Sequence, residues 1–512
     1  MFRVKMFKTL TMMTVVMVAA TSLVGCAKDS TSEATTKPSS STKVAATPTA
    51  ATLAPVKLKW VLRIPVQKEG EAVLTEVNKI LKEKINATLD IQFIEAAAYA
   101  EKTKLMIAAG EDFDIMFTAA GYNFYDNVAK GAFVPMDELL TKYAPKAYAQ
   151  IPPSFWNAMK VNNKVYGFPN YQIAARQSAF NFRKDIVDKY SIDVNAMKKM
   201  EDLEPAFAKM KAGESADKFI FNPGNALATL DVMNYMKLET LGSDGSPGAI
   251  EAVGSDYKVI NQFEHPAFVN FVKLMKNWSE KGYINKDLAL VKDPTELLKS
   301  GKILSSGLGT YKPGVEAETK ARYNYDAAFG TMTDPLVTTG SVTGTMQAIS
   351  RTSKNPERAM MFLELMNTDK QLYNMVLYGL EGKNYKKTGD NSIELIPDSG
   401  YATNVAWMLG DQLNAYLLPG VATDIPQKTD QLNKSAKASR IMGFSFDAEP
   451  VKAELAQAKT VTDKYLLGLA YGMMDVDSTL ATMNKELKAA GMDKIIAEKQ
   501  KQLDAWVAAN KK

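Results

Sequence analysis

A chain of 512 residues with 46% hydrophobic and 23% charged side chains has the balance of an ordinary globular protein and enough length for two or more cores. Its net charge of +5 falls to +2 once Arg3, Lys5 and Lys8 of the first segment are set aside, a surplus too small to mark nucleic acid as the main partner. One histidine, His265, and one cysteine, Cys26, exclude His-dyad, Cys–His and histidine-rich metal chemistry from the body of the chain and leave carboxylate chemistry open.

The first predicted element is an export signal over residues 1–25. Arg3, Lys5 and Lys8 form its basic start, and Leu10 to Leu23 an apolar run too short to span a bilayer. It ends in "LVGC", which resembles the bacterial lipobox, with small Gly25 directly before the thiol. That resemblance implies diacylglycerol on Cys26 and cleavage in front of it; two acyl chains anchor stably where one does not. Residues 26–55, rich in Ser, Thr, Ala and Pro and without an aromatic side chain, cannot bury enough surface to fold and read as a flexible tether. With Cys26 consumed by lipid, the folded part is expected to hold no disulfide, and no cofactor or metal is expected.

The folded part opens on alternating Leu58, Trp60 and Leu62, a strand. Val73, Val77, Ile80, Leu81 and Ile85 follow at helical spacing, and "ATLDIQFIE" alternates again. "YAEKTKLMIAAG" reads as a helix stopped by Gly110, and "DFDIMFT" as a short buried strand. Strand, helix, strand, helix, strand implies a parallel sheet covered by helices, with ligands expected beyond the C-terminal strand ends. There the loop "AAGYNFYDN" presents Tyr122 and Phe124. Further on, "NAMKKMEDLEPAFAKMKAG" and "HPAFVNFVKLMKNWSEKG" read as helices, "GKILSSGLGTYKPG" as a strand with a Gly/Pro loop, "SVTGTMQAIS" as a strand and "NPERAMMFLELMNTD" as a helix. The C-terminal stretch reads as helices lined by Leu480, Met483 and Leu487, then Ile496, Leu503 and Val507. No later run of 18 apolar residues suggests a membrane span.

The ordered set "LMIAAGEDFDIMFTA", "GAFVPMDELL", "NKVYGFPNYQ", "NFRKDIVDKY" and "NPERAMMFLELMNTD" resembles the extracellular solute-binding proteins of carbohydrate ABC importers. "YGLEGKNY", "WMLGDQL", "GFSFDAEPVKAEL" and "LKAAGMDKIIAEKQKQLDAW" resemble the lipoprotein subgroup with an extra C-terminal domain of unassigned function. The resemblance implies an α/β, two-lobed fold of the type II periplasmic-binding-protein kind, each lobe a mainly parallel sheet flanked by helices, with added C-terminal helices. It places residues 56–175 and 330–375 in the N-terminal lobe, 176–329 and 376–440 in the C-terminal lobe, and 441–512 in a helical domain. The implied function is capture of a carbohydrate, an oligosaccharide in particular, between the lobes, and delivery to membrane permease subunits. The implied protein is a monomer on the extracytoplasmic face of a Gram-positive type cell membrane, touching that membrane only through its lipid.

Sugars are held by aromatic faces against their C–H surfaces and by planar amide, carboxylate or guanidinium groups on vicinal hydroxyls. Tyr122 qualifies by its loop after a strand end, with rim packing as the bland alternative. Asn170 and Tyr171 stand at the implied crossover, and Tyr311 lies in the Gly/Pro loop of the second lobe. Arg183 is a ligand contact or a partner of Asp185; Glu381 is a cleft carboxylate or a hinge cap. Trp407, placed in the second lobe, is a stacking ring or a core tryptophan; Trp60 and Trp506 are placed in the core. Relatives often carry Asn at Asp411. Two other function classes remain open: a secreted glycoside hydrolase using a carboxylate pair drawn from Asp112, Asp114, Glu381 and Asp411, and a surface sensory or adhesion lipoprotein.

Overall fold

A computed structural model describes residues 53–224, 227, 229–242 and 246–510. The signal segment, Cys26 and the tether as far as residue 52 lie outside the described residues. The strands that position the site are, in chain order, β1 (Val56–Leu62), β2 (Ala87–Phe93), β3 (Ile115–Thr118), β4 (Phe168–Pro169), β5 (Gln177–Arg183), β6 (Ser305–Tyr311), β7 (Ala327–Thr331), β8 (Leu336–Val337), β9 (Met346–Ile349) and β10 (Lys437–Ala438).

The first sheet runs β2-β1-β3-β9-β4. β1 lies parallel to β2, from Val56 opposite Ala87 to Leu62 opposite Phe93, and parallel to β3. β9 is antiparallel to both β3 and β4, bringing Met346 beside Thr118 and Pro169. The C-terminal ends of the three parallel strands, the start of β9 and the end of β4 therefore share one edge of the lobe. β3 and the second half of β1 are buried on both faces: helix Gly70–Ile85 packs on β2, and Phe362 of helix Pro356–Thr368 meets the Trp60 ring edge to face at 5.1 Å, so Trp60 and Val61 are both fully buried.

The second sheet departs from a parallel plan. β5 is its centre, antiparallel to β6 on one side and β7 on the other. Parallel bridges from Phe219 to Ile303 and Asn222 to Ser306 extend it. "QSAFNFR" puts Phe180 and Phe182 in this second core and buries Ala179 on the other face of the strand. Gly330 is needed there, since a Cβ would stand 2.1 Å from the Phe180 ring.

Three segments cross between the cores side by side. Arg176 and Leu336 exchange backbone hydrogen bonds of 2.9 Å each, and β8 lies parallel to β10, with Ser439 N–H donating to Val337 O at 2.8 Å. The third crossing corrects the sequence expectation. Residues 376–440 do not join the second lobe: Val376, Leu377, Tyr378, Tyr385, Ile393, Tyr401, Met408 and Leu409 are buried in the first core. The chain leaves that core only at β10. The resemblance implies a boundary at residue 376, but helix Lys370–Tyr378 docks on Gly70–Ile85 and Pro356–Thr368 and keeps the following residues in the first lobe.

Nor do residues 441–512 form a core of their own. Ala458, Leu469, Met483, Leu487 and Ile495 complete the second core, while Ile441, Phe444 and Leu503 join Leu241, Ile250 and Val259 in a small third one. Residues 195–203 are not the predicted helix. It begins at Glu204 with Pro205 in its first turn, the one place where proline's missing N–H costs no helical hydrogen bond. His265 caps helix Pro266–Glu280 by accepting Ala267 N–H at 3.2 Å.

Candidate functional site

The edge where β1, β2 and β3 end carries an aromatic platform. Phe117, on β3, meets the Tyr122 ring at 5.9 Å and the Trp407 ring at 5.7 Å, both edge to face. Tyr99 packs beneath at 5.4 Å from Tyr122 and donates its hydroxyl to Phe117 O. Tyr122 and Trp407 are both half-buried, so part of each ring faces solvent. Tyr122 stands in a short 3-10 turn tied at Ala120 N–H to Thr343 O, 2.8 Å. Phe124, expected beside it, is fully buried: the next helix rotates it inward.

Trp407 belongs to the first lobe, not the second. Its carbonyl accepts Thr345 Oγ1 at 3.0 Å, and the next carbonyl, Met408 O, accepts Gln347 Nε2 at 2.6 Å. Gly410, at φ 142°, lets this loop lie against helix Pro356–Thr368, where a Cβ would meet Met366 O at 2.6 Å. Asn170 serves the same scaffold. It is 2% exposed, donates to Thr345 Oγ1 at 2.7 Å and accepts from Gln347 Nε2 at 3.3 Å. It is a positioning residue for the loop that carries Trp407, not a presented contact.

Tyr171 is also placed inside rather than on the rim. It is fully buried and donates its hydroxyl to Asp430 Oδ1 at 2.8 Å. Asn433 accepts Ala174 and Ala175 N–H at 3.0 Å each and donates to Gln172 O, so helix Ile425–Ser435 clamps the first crossing. Asp411 lies beside the clamp, accepting from Gln150 Nε2 at 2.7 Å and Leu413 N–H at 2.9 Å, while the next residue, Gln412, donates its N–H to Tyr171 O at 2.8 Å. Burial pushes its carboxyl up to about 7.

Arg183 lies at the end of β5 away from the crossing, makes a two-pronged contact with Asp185 at 3.0 Å and stacks over Tyr325. Glu381 is exposed and paired with Lys387 at 3.1 Å. Tyr311 ends β6 opposite Gln177, beside the crossing, and lines a cavity of about 860 Å³ between helix Val315–Tyr323 and helix Ile425–Ser435. Burial raises its phenol and Glu316 accepts its hydrogen bond. The structure therefore joins Tyr122 with Trp407, puts Tyr311 in a separate wall, and uses Asn170, Tyr171, Arg183 and Glu381 elsewhere.

The acids considered for hydrolysis do not form a pair either. Asp112 and Asp114 precede β3, at the opposite end of the sheet from the platform, and Asp114 accepts Lys59 N–H at 2.8 Å. Among the described residues no cluster of three or more His, Cys, Asp or Glu side chains could hold a metal ion.

Arg63 is the residue that sequence reasoning missed. It directly follows β1, its guanidinium lies 5.9 Å from the Tyr122 ring, and its Nε is buried with no hydrogen-bond partner. No carboxylate among the described residues pairs with it. The signal available was positional: it is the first residue past a parallel strand, on the ligand side of such sheets. A buried donor left open beside the Tyr122 ring suits an oxygen-rich ligand with apolar C–H surfaces.

A family model described as bacterial extracellular solute-binding protein matches residues 66–373, and a second, a domain of unknown function (DUF3502), matches residues 440–508. The chain is 28% identical over 447 residues to a carbohydrate ABC transporter substrate-binding protein of Streptococcus pneumoniae serotype 4, covering 86% of this chain and 89% of that protein. It superposes on the crystal structure of the N-glycan transport solute binding protein NgtS of Streptococcus pneumoniae with a TM-score of 0.73 and 27% identity, covering 90% of this chain and all of that one. On the same protein in complex with Man1GlcNAc the score is 0.61 at 26% identity over 88% and 100% of the two chains. In complex with Man5GlcNAc it is 0.57 at 26% over 89% and 99%.

Proposed function

The chain belongs to the bacterial extracellular solute-binding protein family, and we propose that it is a lipid-anchored receptor that captures an oligosaccharide between its lobes and delivers it to an ABC permease. The observation that carries this reading is the Tyr122–Phe117–Trp407 platform with the open Arg63 donor beside it, at the strand ends of the first lobe. Rings supply the faces that sugars stack on, and the guanidinium supplies donors for their hydroxyls. The saccharides named for NgtS support the same ligand class.

Binding supplies all the free energy for this task. A sugar that touches both lobes shifts the equilibrium toward closure by its differential affinity for the closed state, and the permease reads that state. Three side-by-side crossings permit such a motion, because rotation there disturbs only a few backbone hydrogen bonds. No catalytic role is assigned to the carboxylates, and the protein acts as a monomer without a cofactor. Lipid on Cys26 would keep it at the extracytoplasmic face of the membrane, and the tether would give it reach.

A thermal-shift screen over mono- and oligosaccharides tests the reading. Ligand at 100 times its Kd should stabilise by about 2.7 kcal/mol. Small-angle scattering with the saturating hit should show a smaller radius, and the recovered sugar should be uncleaved. An unchanged radius points to a rigid adhesin or sensor, and cleavage to a hydrolase.

A further inference from the structure

The last helix, Met492–Asn510, packs Trp506 on the rim of the third core rather than inside it. The ring is half-buried, touches Phe444 edge to face at 6.0 Å, and lines a cavity of about 860 Å³. This cavity shares no residue with the platform of Tyr122 and Trp407. One wall is the hairpin around Asn162 and Asn163, in the first lobe; the other is the terminal helix; the third crossing runs beneath them.

Three features of the lining point to one ligand chemistry. Asn162 and Asn163 occupy consecutive left-handed positions, φ 50° and 62°, at the tip of a two-residue turn. Both side chains are exposed and make no hydrogen bond to a described residue, so two amide heads stand free on the rim. Lys160 contacts Asn157 Oδ1 at 2.9 Å and pairs with no carboxylate among the described residues. No acidic side chain lines the cavity among the described residues, although they are plentiful on the rest of the surface. An aromatic face, free amides and an unopposed ammonium match a saccharide, whose hydroxyls both donate and accept and whose C–H faces stack.

We propose that the cavity between the Asn162–Asn163 turn and Trp506 is a second oligosaccharide site, separate from the platform and built by the C-terminal segment. It rests on the carbohydrate reading above and adds a site to it. Because its walls come from different lobes, an occupant bridges them and is coupled to their relative motion.

The test is isothermal titration of the whole mature chain with three probes: Man5GlcNAc, Man1GlcNAc and kestose. At least one should bind with two equivalents. Trp506→Ala should weaken one equivalent about tenfold or more and leave the other unchanged. The paired change Asn162→Gly with Asn163→Gly keeps a turn that tolerates positive φ, removes both amides, and should weaken the same equivalent. Trp407→Ala should weaken only the other one. A single equivalent that responds to Trp407→Ala and not to Trp506→Ala or the glycine pair overturns the second site and leaves the carbohydrate function standing. A parent chain that binds none of the three probes overturns both.

Discussion

Trp407 meets Phe117 edge to face, with ring centres 5.7 Å apart and planes inclined at 77°. The contact joins a residue late in the chain to the third strand and makes one surface of two half-exposed rings, Trp407 and Tyr122. Trp407→Ala should weaken oligosaccharide binding by roughly 5- to 150-fold, the equivalent of about 1–3 kcal/mol. Its cost in ligand-free stability should stay below the ~3–5 kcal/mol of a fully buried tryptophan. One titration and one melt of the same variant check both numbers. Normal binding with a collapsed melting temperature would make Trp407 a core residue.

Asn170→Ala separates positioning from contact. It leaves Thr345 Oγ1 and Gln347 Nε2 each short of a buried partner, at a cost of about 1–3 kcal/mol. Binding should weaken through displacement of the Trp407 loop, with a change in tryptophan emission before ligand is added. Unaltered emission together with lost binding would make Asn170 a direct contact.

Arg63→Ala should weaken binding with little change in the melting temperature of the free protein, since its buried Nε has no hydrogen-bond partner among the described residues to lose. Arg63→Lys should restore only part of the affinity, because an ammonium cannot reproduce the planar fork. Equal affinity of Arg63→Ala and the parent for the hit of the saccharide screen would remove Arg63 from the site.

Asp411 gives the hinge clamp a pH dependence with a definite sign. Burial, with Asp430 nearby, pushes its carboxyl up to about 7, whereas an unfolded Asp titrates near ~4. Between these values the folded chain keeps a proton that the unfolded chain has lost, so stability falls as pH rises through that window and levels off above it. Glu239, buried against Ser439 and also pushed up to about 7, adds to the same slope. Asp411→Asn should flatten part of the slope and raise the melting temperature at pH 8 relative to the parent, with no gain at pH 4. Gln150 can turn its amide to keep the hydrogen bond. Parallel slopes for parent and variant would show that Asp411 ionises freely.

Cys26→Ala should abolish labelling by radioactive fatty acid and leave the signal uncleaved by the lipoprotein peptidase. Labelling equal to that of the parent would refute the anchor.

Local pattern by itself determined the N-terminal lobe's beginning. Leu58, Trp60 and Leu62, the helix of Val73, Val77, Leu81 and Ile85, and the buried run Ile115–Thr118 are all where periodicity and turn residues put them. Such elements are short-range objects, set by spacing within a dozen residues. The same pattern brought Tyr122 to the strand-end rim. What the tertiary structure decided are relations between distant segments. Trp407 joined the first lobe because the loop it sits in is held by Thr345 and Gln347, some sixty residues earlier. Tyr171 went inside because the crossing is clamped by Asp430 and Asn433 from a later helix, and Asn170 because Thr345 and Gln347 hold it. Arg63 acquired its meaning only when the sheet set it under Tyr122. Helical or alternating spacing says which face of an element is apolar; it does not say which other element covers that face, and that choice assigned residues 376–440 and the terminal helices to their cores.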